Sequence, residues 1–168
     1  MTPEPFGAVD AAFHEKYMSM AIAEAARAEI EGEVPAGCVV VIADADGRPR
    51  VAGRAHNMTE ALKDPTAHAE MLAITQAAAA AGDWRVERAI LYVTKEPCPM
   101  CGGAIVLARI PLVVWGVDDP KRGAHTVFGM FEHPGVNHHP AVLSGICREA
   151  CLEQLQTFFR TRRQKQEG

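Results

Sequence analysis

The alternation of apolar and polar positions divides the chain into a succession of helices and strands. From Asp10 to Ile30, the residues Phe13, Tyr17, Met20, Ile22, Ala23 and Ala26 form a broad apolar face, and alanine adds intrinsic helix propensity. Gly32 and Pro35 end that helix. Gly37 to Ala43 contains no polar side chain and is rich in valine, which predicts a strand buried on both faces. Asp46-Gly47 is a hairpin signal, and Arg50 to His56 returns as a second strand. Asn57 to Pro65 shows weak periodicity and predicts a loop.

The helical period resumes from Thr66 to Ala81, with Met71, Leu72, Ile74 and Thr75 on its apolar side, Asp64 or Thr66 as cap and Gly82 as stop. Ala89 to Thr94 reads as a third strand. Cys98 to about Ala108 reads as a helix in which Gly102 and Gly103 permit close packing. Leu112 to Val117 is a fourth strand, followed by a loop rich in glycine, histidine and proline that reaches Asn137. Pro140 to Leu143 is a short fifth strand. The last helix, Gly145 to Arg163, turns Leu152, Leu155, Phe158 and Phe159 inward. This order predicts an α/β fold, a mixed five-stranded sheet with helices on both faces. The chain shows no internal repeat and no linker, so residues 1–168 are expected to form one domain, with 1–10 and 164–168 as flexible ends.

Composition narrows the class. With 168 residues, 48% apolar and 23% charged, the chain can build one proper core. No apolar stretch reaches the eighteen or so residues of a spanning helix. The opening MTPEPFGAVD lacks the basic and apolar regions of a secretory signal, so a cytoplasmic protein is expected by default. Of five cysteines, Cys98 and Cys101 have a metal-ligand spacing, while Cys38, Cys147 and Cys151 are scattered, which argues against a disulfide scaffold. Cys38 reads as a small buried hydrophobe. A net charge of −4 counts against nucleic-acid binding by the whole surface but not against a local basic patch.

The candidate chemistry lies in two stretches, Thr66-Ala67-His68-Ala69-Glu70 and Glu96-Pro97-Cys98-Pro99-Met100-Cys101. Both fall where a helix begins, which places His68 and Glu70 in the first turn of one helix and Cys98 and Cys101 in the first turn of the next. One imidazole and two thiolates can hold zinc with a fourth position left for water. Positive helix N-termini favour the thiolate forms. Glu70 is then the proton shuttle rather than a ligand. Taken singly, the Cys-x-x-Cys is also a redox pair or half of a structural zinc site, and His68 a core histidine. Taken together, His-x-Glu and Pro-Cys-x-x-Cys at matching helix starts match the signature of zinc-dependent nucleobase deaminases. His133, His138 and His139 suggest a second metal or, better, a polar loop.

The resemblance then becomes more specific. Asp64-Pro65-Thr66-Ala67-His68-Ala69-Glu70 and Leu91-Tyr92-Val93-Thr94-Lys95-Glu96-Pro97-Cys98 resemble the bacterial TadA-type tRNA-specific adenosine deaminases. So do Glu33-Val34-Pro35-Ala36-Gly37, His133-Pro134-Gly135-Val136-Asn137-His138 and the ending Phe158-Phe159-Arg160-Thr161-Arg162-Arg163. The likeness runs from about Phe13 to Gln164. It implies a three-layer α/β/α cytidine deaminase-like fold, a homodimer, and hydrolysis of a tRNA wobble adenosine to inosine. By position it implies His68, Cys98 and Cys101 as ligands of one zinc per subunit and Glu70 as the catalytic acid–base. It also implies that Asn57 and the Ala69 amide contact the base or its sugar, Asp119 and Lys121 face the anticodon loop, and Phe159 and Arg163 stack on and pair with RNA. The chain departs from the family pattern at Asp118, Lys95 and Leu107, and in Gly123 to Gly129, which is one residue shorter.

The tail supports an RNA partner independently, because Arg160 to Gly168 carries four basic residues and one acid on an otherwise acidic chain. Two other readings compete. One is a deaminase of a free base or nucleoside, such as guanine or cytidine, which needs a lidded pocket rather than a basic approach. The other is a non-catalytic zinc-stabilised binding subunit, for which Glu70 would be superfluous.

Overall fold

The computed structural model describes residues 6–167. Helix α1 (Ala11–Ile30) starts at Asp10, whose carboxylate accepts from the Phe13 N–H at 2.9 Å, and it is closed by Gly32 in the left-handed region at φ 78°. The strands are β1 (Gly37–Ala43), β2 (Pro49–His56), β3 (Ala89–Lys95), β4 (Leu112–Val117) and β5 (Ala141–Ser144). The other helices are α2 (Thr59–Leu62), α3 (Ala69–Ala81), α4 (Pro99–Leu107) and α5 (Arg148–Glu167). The sheet order is β2-β1-β3-β4-β5; β1 is antiparallel to both neighbours, and β3, β4 and β5 are parallel. The expected mixed five-stranded sheet is therefore present.

Its two faces carry separate cores. Helices α3 and α4 pack with Cys38, Val40, Leu91, Val93, Val113 and Trp115, while α1 and α5 cover Val39, Val41, Ile90, Tyr92 and Val114. Every residue of β1 and β4 is buried, as a central strand between two helical layers requires. The hydrogen-bonded registers Gly37↔His56 and Cys38↔Val93 bring the beginning of β1 to the same edge as the ends of β2 and β3.

Several sequence expectations change. The buried stripe of α1 is His14, Tyr17, Met18, Ala21, Glu24, Ala25 and Ala28, whereas Ala23 is exposed. Two polar residues belong to that stripe, so an apolar count picks the wrong face. In α3 the buried residues are Ala69, Glu70, Ala73, Ile74 and Ala77, and Thr75 is exposed. The expected loop 57–65 contains α2, one turn long, because the buried Glu33 carboxylate accepts the Ala61 N–H at 2.8 Å and Lys63 closes the turn at φ 51°. Gly145 and Cys147 have φ of 86° and 51°, which delays α5 to Arg148. That helix then continues through Glu167, four residues beyond the expected Arg163. Cys151 faces the core and Phe159 does not; it is 42% exposed. Of the expected N-terminal flexible stretch, residues 1–5 lie outside the described residues, and Phe6 packs on Phe13 with ring centres 5.6 Å apart. Residue 168 is likewise outside. Among the described residues no helix is long and apolar enough to cross a membrane.

Both helical layers approach the sheet at backbone distance. A Cβ on Gly53 would meet the Ala73 carbonyl oxygen at 2.0 Å, and one on Gly37 would meet the Ala21 carbonyl oxygen at 1.9 Å. Gly103, on α4, has nothing within 4 Å of such an atom. Gly53→Ala and Gly37→Ala are therefore expected to destabilise the protein by about 3 kcal/mol or more, through forced backbone shifts. Gly103→Ala is expected to be neutral or stabilising by about 0.5–1 kcal/mol. Thermal and denaturant unfolding of the three variants checks this, and equal losses would refute the close-approach argument.

Candidate active site

The ends of β2, β3 and β4 and the beginning of β1 share one edge of the sheet, where an open α/β sheet places its ligands. His68 is the N-cap of α3, with φ −75° and ψ 151°, and Cys98 is the N-cap of α4, with φ −73° and ψ 171°. Both were expected in first turns; only Glu70 and Cys101 are there. The two expected caps bond to each other instead, Thr66 giving its N–H and hydroxyl to Asp64 at 2.8 and 2.7 Å in a tight turn. The extended backbone of an N-cap lets its side chain reach across the mouth of the helix. Pro99 follows Cys98 at the first helical position, where its missing N–H costs nothing.

The donor atoms of His68, Cys98 and Cys101 all lie within 4.8 Å of one another. His68 Nδ1 is 3.6 Å from Cys98 Sγ and 3.5 Å from Cys101 Sγ. A tetrahedral zinc with ordinary Zn–N and Zn–S bonds separates nitrogen from sulfur by about 3.6 Å. The three residues fit zinc, and fit it without rearrangement. The hydrogen bond from the Cys101 thiol, and His68 after it, hold the Cys98 thiol down to about 3. The same shared proton, together with burial, pushes the Cys101 thiol up. Two sulfurs competing for one proton beside an imidazole form a site ready to exchange that proton for a cation. Glu70 is buried, 6% exposed at the cleft, and burial raises its pKa. A carboxyl that readily takes up a proton can serve as a general acid–base.

His68, Glu70 and Cys98 line a cleft of about 230 Å³ with Val34, Asn57, Thr59, Lys95, Glu96, Asp119 and Arg122. Its walls hang on two buried carboxylates that the sequence reading gave no role. Glu33, 1% exposed, accepts from Asn57 Nδ2 at 3.2 Å, Thr59 Oγ1 at 3.3 Å and the Ala61 N–H. Glu96, 3% exposed, accepts the N–H groups of Asp119, His125 and Thr126 and the Thr126 hydroxyl, at 2.7 to 3.1 Å. Glu33 thus fixes Asn57, and Glu96 fixes the loop after β4. Gly123 is small because a Cβ there would stand 2.4 Å from the Glu96 carboxylate. In the sequence Glu96 directly precedes Pro97 and Glu33 stands two residues before Pro35, and neither setting signals a buried carboxylate.

The other expected contact residues divide. Asn57 and Asp119 line the cleft, and Ala69 is the first residue of α3, whose N–H has no intrahelical acceptor. Asp119 is buried, and its carboxylate accepts from the N–H groups of Lys121 and Arg122 and from Lys95 Nζ at 2.8 Å. Burial opposes its ionisation, but these donors outweigh it and lower the pKa. Lys121 is exposed and does not line the cleft. Phe159 and Arg163 share an exposed groove on α5 with Leu155, Gln156 and Arg160. A second groove, lined by Phe158, Thr161, Arg162 and Lys165 of α5, reaches Glu60 of α2, next in sequence to Thr59 of the cleft. The loop histidines bind backbone rather than metal: His138 Nε2 meets Ile110 O at 2.7 Å, His139 Nδ1 meets Phe131 O at 2.8 Å, and His133 Nδ1 accepts the Gly135 N–H.

Residues 11–117 match the family model of the cytidine and deoxycytidylate deaminase zinc-binding region. A tRNA-specific adenosine deaminase of Bacillus subtilis (strain 168) is 47% identical over 155 residues, 92% of this chain and 93% of that protein. A structure from studies of A-to-I editing by tRNA:A34 deaminases at the wobble position of transfer RNA superposes with a TM-score of 0.78. It is 42% identical and covers 83% of this chain and 99% of its own. A guanine deaminase structure from Bacillus subtilis is more distant, with a TM-score of 0.58 and 28% identity over 76% of this chain and 82% of its own.

A metal held by this donor set should contribute to stability. Stripping it with a chelator is expected to lower the thermal midpoint by about 10 °C, the effect of a ligand at a thousandfold excess over its Kd. Cys101→Ala is expected to lose most bound zinc by elemental analysis. Full zinc content in that variant would remove Cys101 from the donor set.

Proposed function

We propose that this chain, which belongs to the cytidine and deoxycytidylate deaminase family and within it to the tRNA-specific adenosine deaminases, hydrolyses the wobble adenosine of a tRNA anticodon to inosine and ammonia. The observation that carries the chemistry is the enclosure of Glu70 in the same small cleft as His68 and Cys98. His68, Cys98 and Cys101 would hold one zinc per chain. Zinc there supplies a Lewis acid able to bring the pKa of a water toward ~7.

The remaining work falls to the protein. Glu70 takes one proton from the attacking water and gives it to the ring nitrogen beside the attacked carbon, then takes the second from the hydroxyl of the adduct and gives it to the departing amine. Its buried position, which favours the protonated form, suits the second half of that task. Asn57 gives Nδ2 to Glu33 and Thr59, which leaves Oδ1 to accept a hydrogen from the substrate. The Ala69 N–H, at the positive end of α3, is the donor offered to the base. A cleft this small takes one base out of its stack, not a duplex. RNA as the substrate is supported by the tail of α5, whose Phe159, Arg160 and Arg163 lie on one exposed face. Exposed Leu107, Val127 and Phe128 support the homodimer that belongs to the same proposal.

Glu70→Ala is expected to keep its zinc and lose deamination by a factor of ~10³. The decisive assay offers an anticodon stem–loop with a wobble adenosine, free guanine and free cytidine to the zinc-loaded protein. Ammonia from free guanine alone would overturn the RNA substrate, and turnover by Glu70→Ala would overturn the shuttle. Replacing Arg160, Arg162 and Arg163 together by alanine is expected to weaken stem–loop binding about tenfold and flatten its salt dependence. Unchanged affinity would make the tail a solvated helix end.

A further inference from the structure

The cleft is lined by two cations, Lys95 and Arg122. Lys95 is the last residue of β3, and its side chain is 31% exposed with one N–H directed at Asp119 Oδ2, 2.8 Å away. An ammonium has three donors, so two remain for a ligand. Arg122 also lines the cleft. Among the described residues no carboxylate lies within ion-pair distance of its guanidinium. Of the carboxylates lining the cleft, Asp119 pairs with Lys95 and none pairs with Arg122. Glu96 is saturated by four protein donors, and Asp119 is turned toward the amides of Lys121 and Arg122 as well as toward Lys95. Asp119 therefore acts as a bracket that extends Lys95 over the cleft.

Size and charge indicate what the bracket is for. Ligand pockets usually run from ~300 to 1,000 Å³. A cleft of about 230 Å³ takes a base and part of its sugar, so the phosphodiesters on either side must stay at the mouth. They would approach a chain of net charge −4, past a site that already contains Glu70. Fixed cations at the rim are what such an approach requires.

We propose that Lys95, held by Asp119, and Arg122 form a phosphate seat that grips the backbone on the two sides of the nucleotide in the cleft. This rests on the RNA reading above and assigns two specificity-determining residues to it. The seat favours a nucleotide embedded in a strand over a free base or nucleoside, which brings no flanking phosphate.

The test is a cycle between protein charge and RNA charge. Zinc-loaded wild type, Lys95→Met, Lys95→Arg and Arg122→Met are titrated by fluorescence anisotropy with two anticodon stem–loops. One has natural linkages, and the other has neutral methylphosphonates on both sides of the wobble adenosine. Lys95→Met is expected to weaken binding of the natural RNA about tenfold, as loss of a charge-assisted hydrogen bond does, and of the neutral RNA no more than about twofold. The slope of log K against log salt should fall by about 0.7 for each cation removed. Lys95→Arg should restore both quantities. An equal loss on the two RNAs, or an unchanged slope, overturns the seat and leaves Lys95 as a strut for the loop. Binding is read apart from turnover: a wild type that shows the cycle but releases no ammonia would sink the proposed reaction and keep the seat.

Discussion

The arrangement of this molecule depends on two helices beginning side by side on one face of the sheet. A metal held by one imidazole and two thiols tolerates errors of a few tenths of an ångström, so the starts of α3 and α4 must be placed by backbone rather than by side chains. Gly53 allows this: the sheet meets α3 at the Ala73 carbonyl with no side chain between them. Alanine continues the same design at Ala69, Ala73 and Ala77, all fully buried. Leucines there would give a larger core, and they would push His68 away from the sulfurs. Conventional apolar bulk is kept for the neighbouring layer, where Val40, Leu91 and Trp115 fill the space under the helices.

Buried carboxylates then divide into those that hold and the one proposed to react. Glu33 and Glu96 are surrounded by donors and serve as fixed points for α2 and for the loop after β4. Glu24 does the same on the other side of the sheet. It is 1% exposed and linked to Arg27, Arg54 and His56, and those partners outweigh burial and lower its pKa. His56 in turn reaches Glu31 at 2.9 Å and directly precedes Asn57. Glu70, 6% exposed, differs from Glu24: burial raises its pKa and its neighbours do not outweigh that. The same residue type becomes structural or reactive according to how many donors surround it.

This contrast also explains what could be read from the chain. Strands β1 and β4 are continuous apolar runs with sharp ends, and their limits Gly37, Ala43, Leu112 and Val117 were legible as written. The spacing of His68, Glu70, Cys98 and Cys101 was legible because a metal site repeats a local pattern at two helix starts. Helix faces were not, because α1 and α3 bury alanine, histidine and glutamate and leave Ala23 and Thr75 outside. A one-turn helix such as α2 has no period to detect, and its cause, Glu33, lies 28 residues before the Ala61 amide it accepts. The partners of Glu96 stand up to 30 residues away in a loop whose composition suggests nothing but flexibility. Long-range hydrogen bonds to single carboxylates leave no periodic trace.

An acidic protein can still recruit RNA if its cations stand where phosphate must come, because screening limits each charge to a range of about 8 Å at physiological salt. Beyond that distance the net charge of −4 matters little, and the local arrangement decides. Two groups of cations line grooves: Lys95 and Arg122 at the cleft, and Arg160, Arg162, Arg163 and Lys165 along α5. Glu60 of α2 stands between the groups, one residue from the cleft wall at Thr59 and on the edge of the groove lined by Arg162 and Lys165. A strand following both groups has to turn around α2, whose position is set by Glu33. In the proposed complex, the carboxylate that holds Asn57 would therefore also set the path of the backbone, coupling substrate shape to base recognition through a single buried side chain.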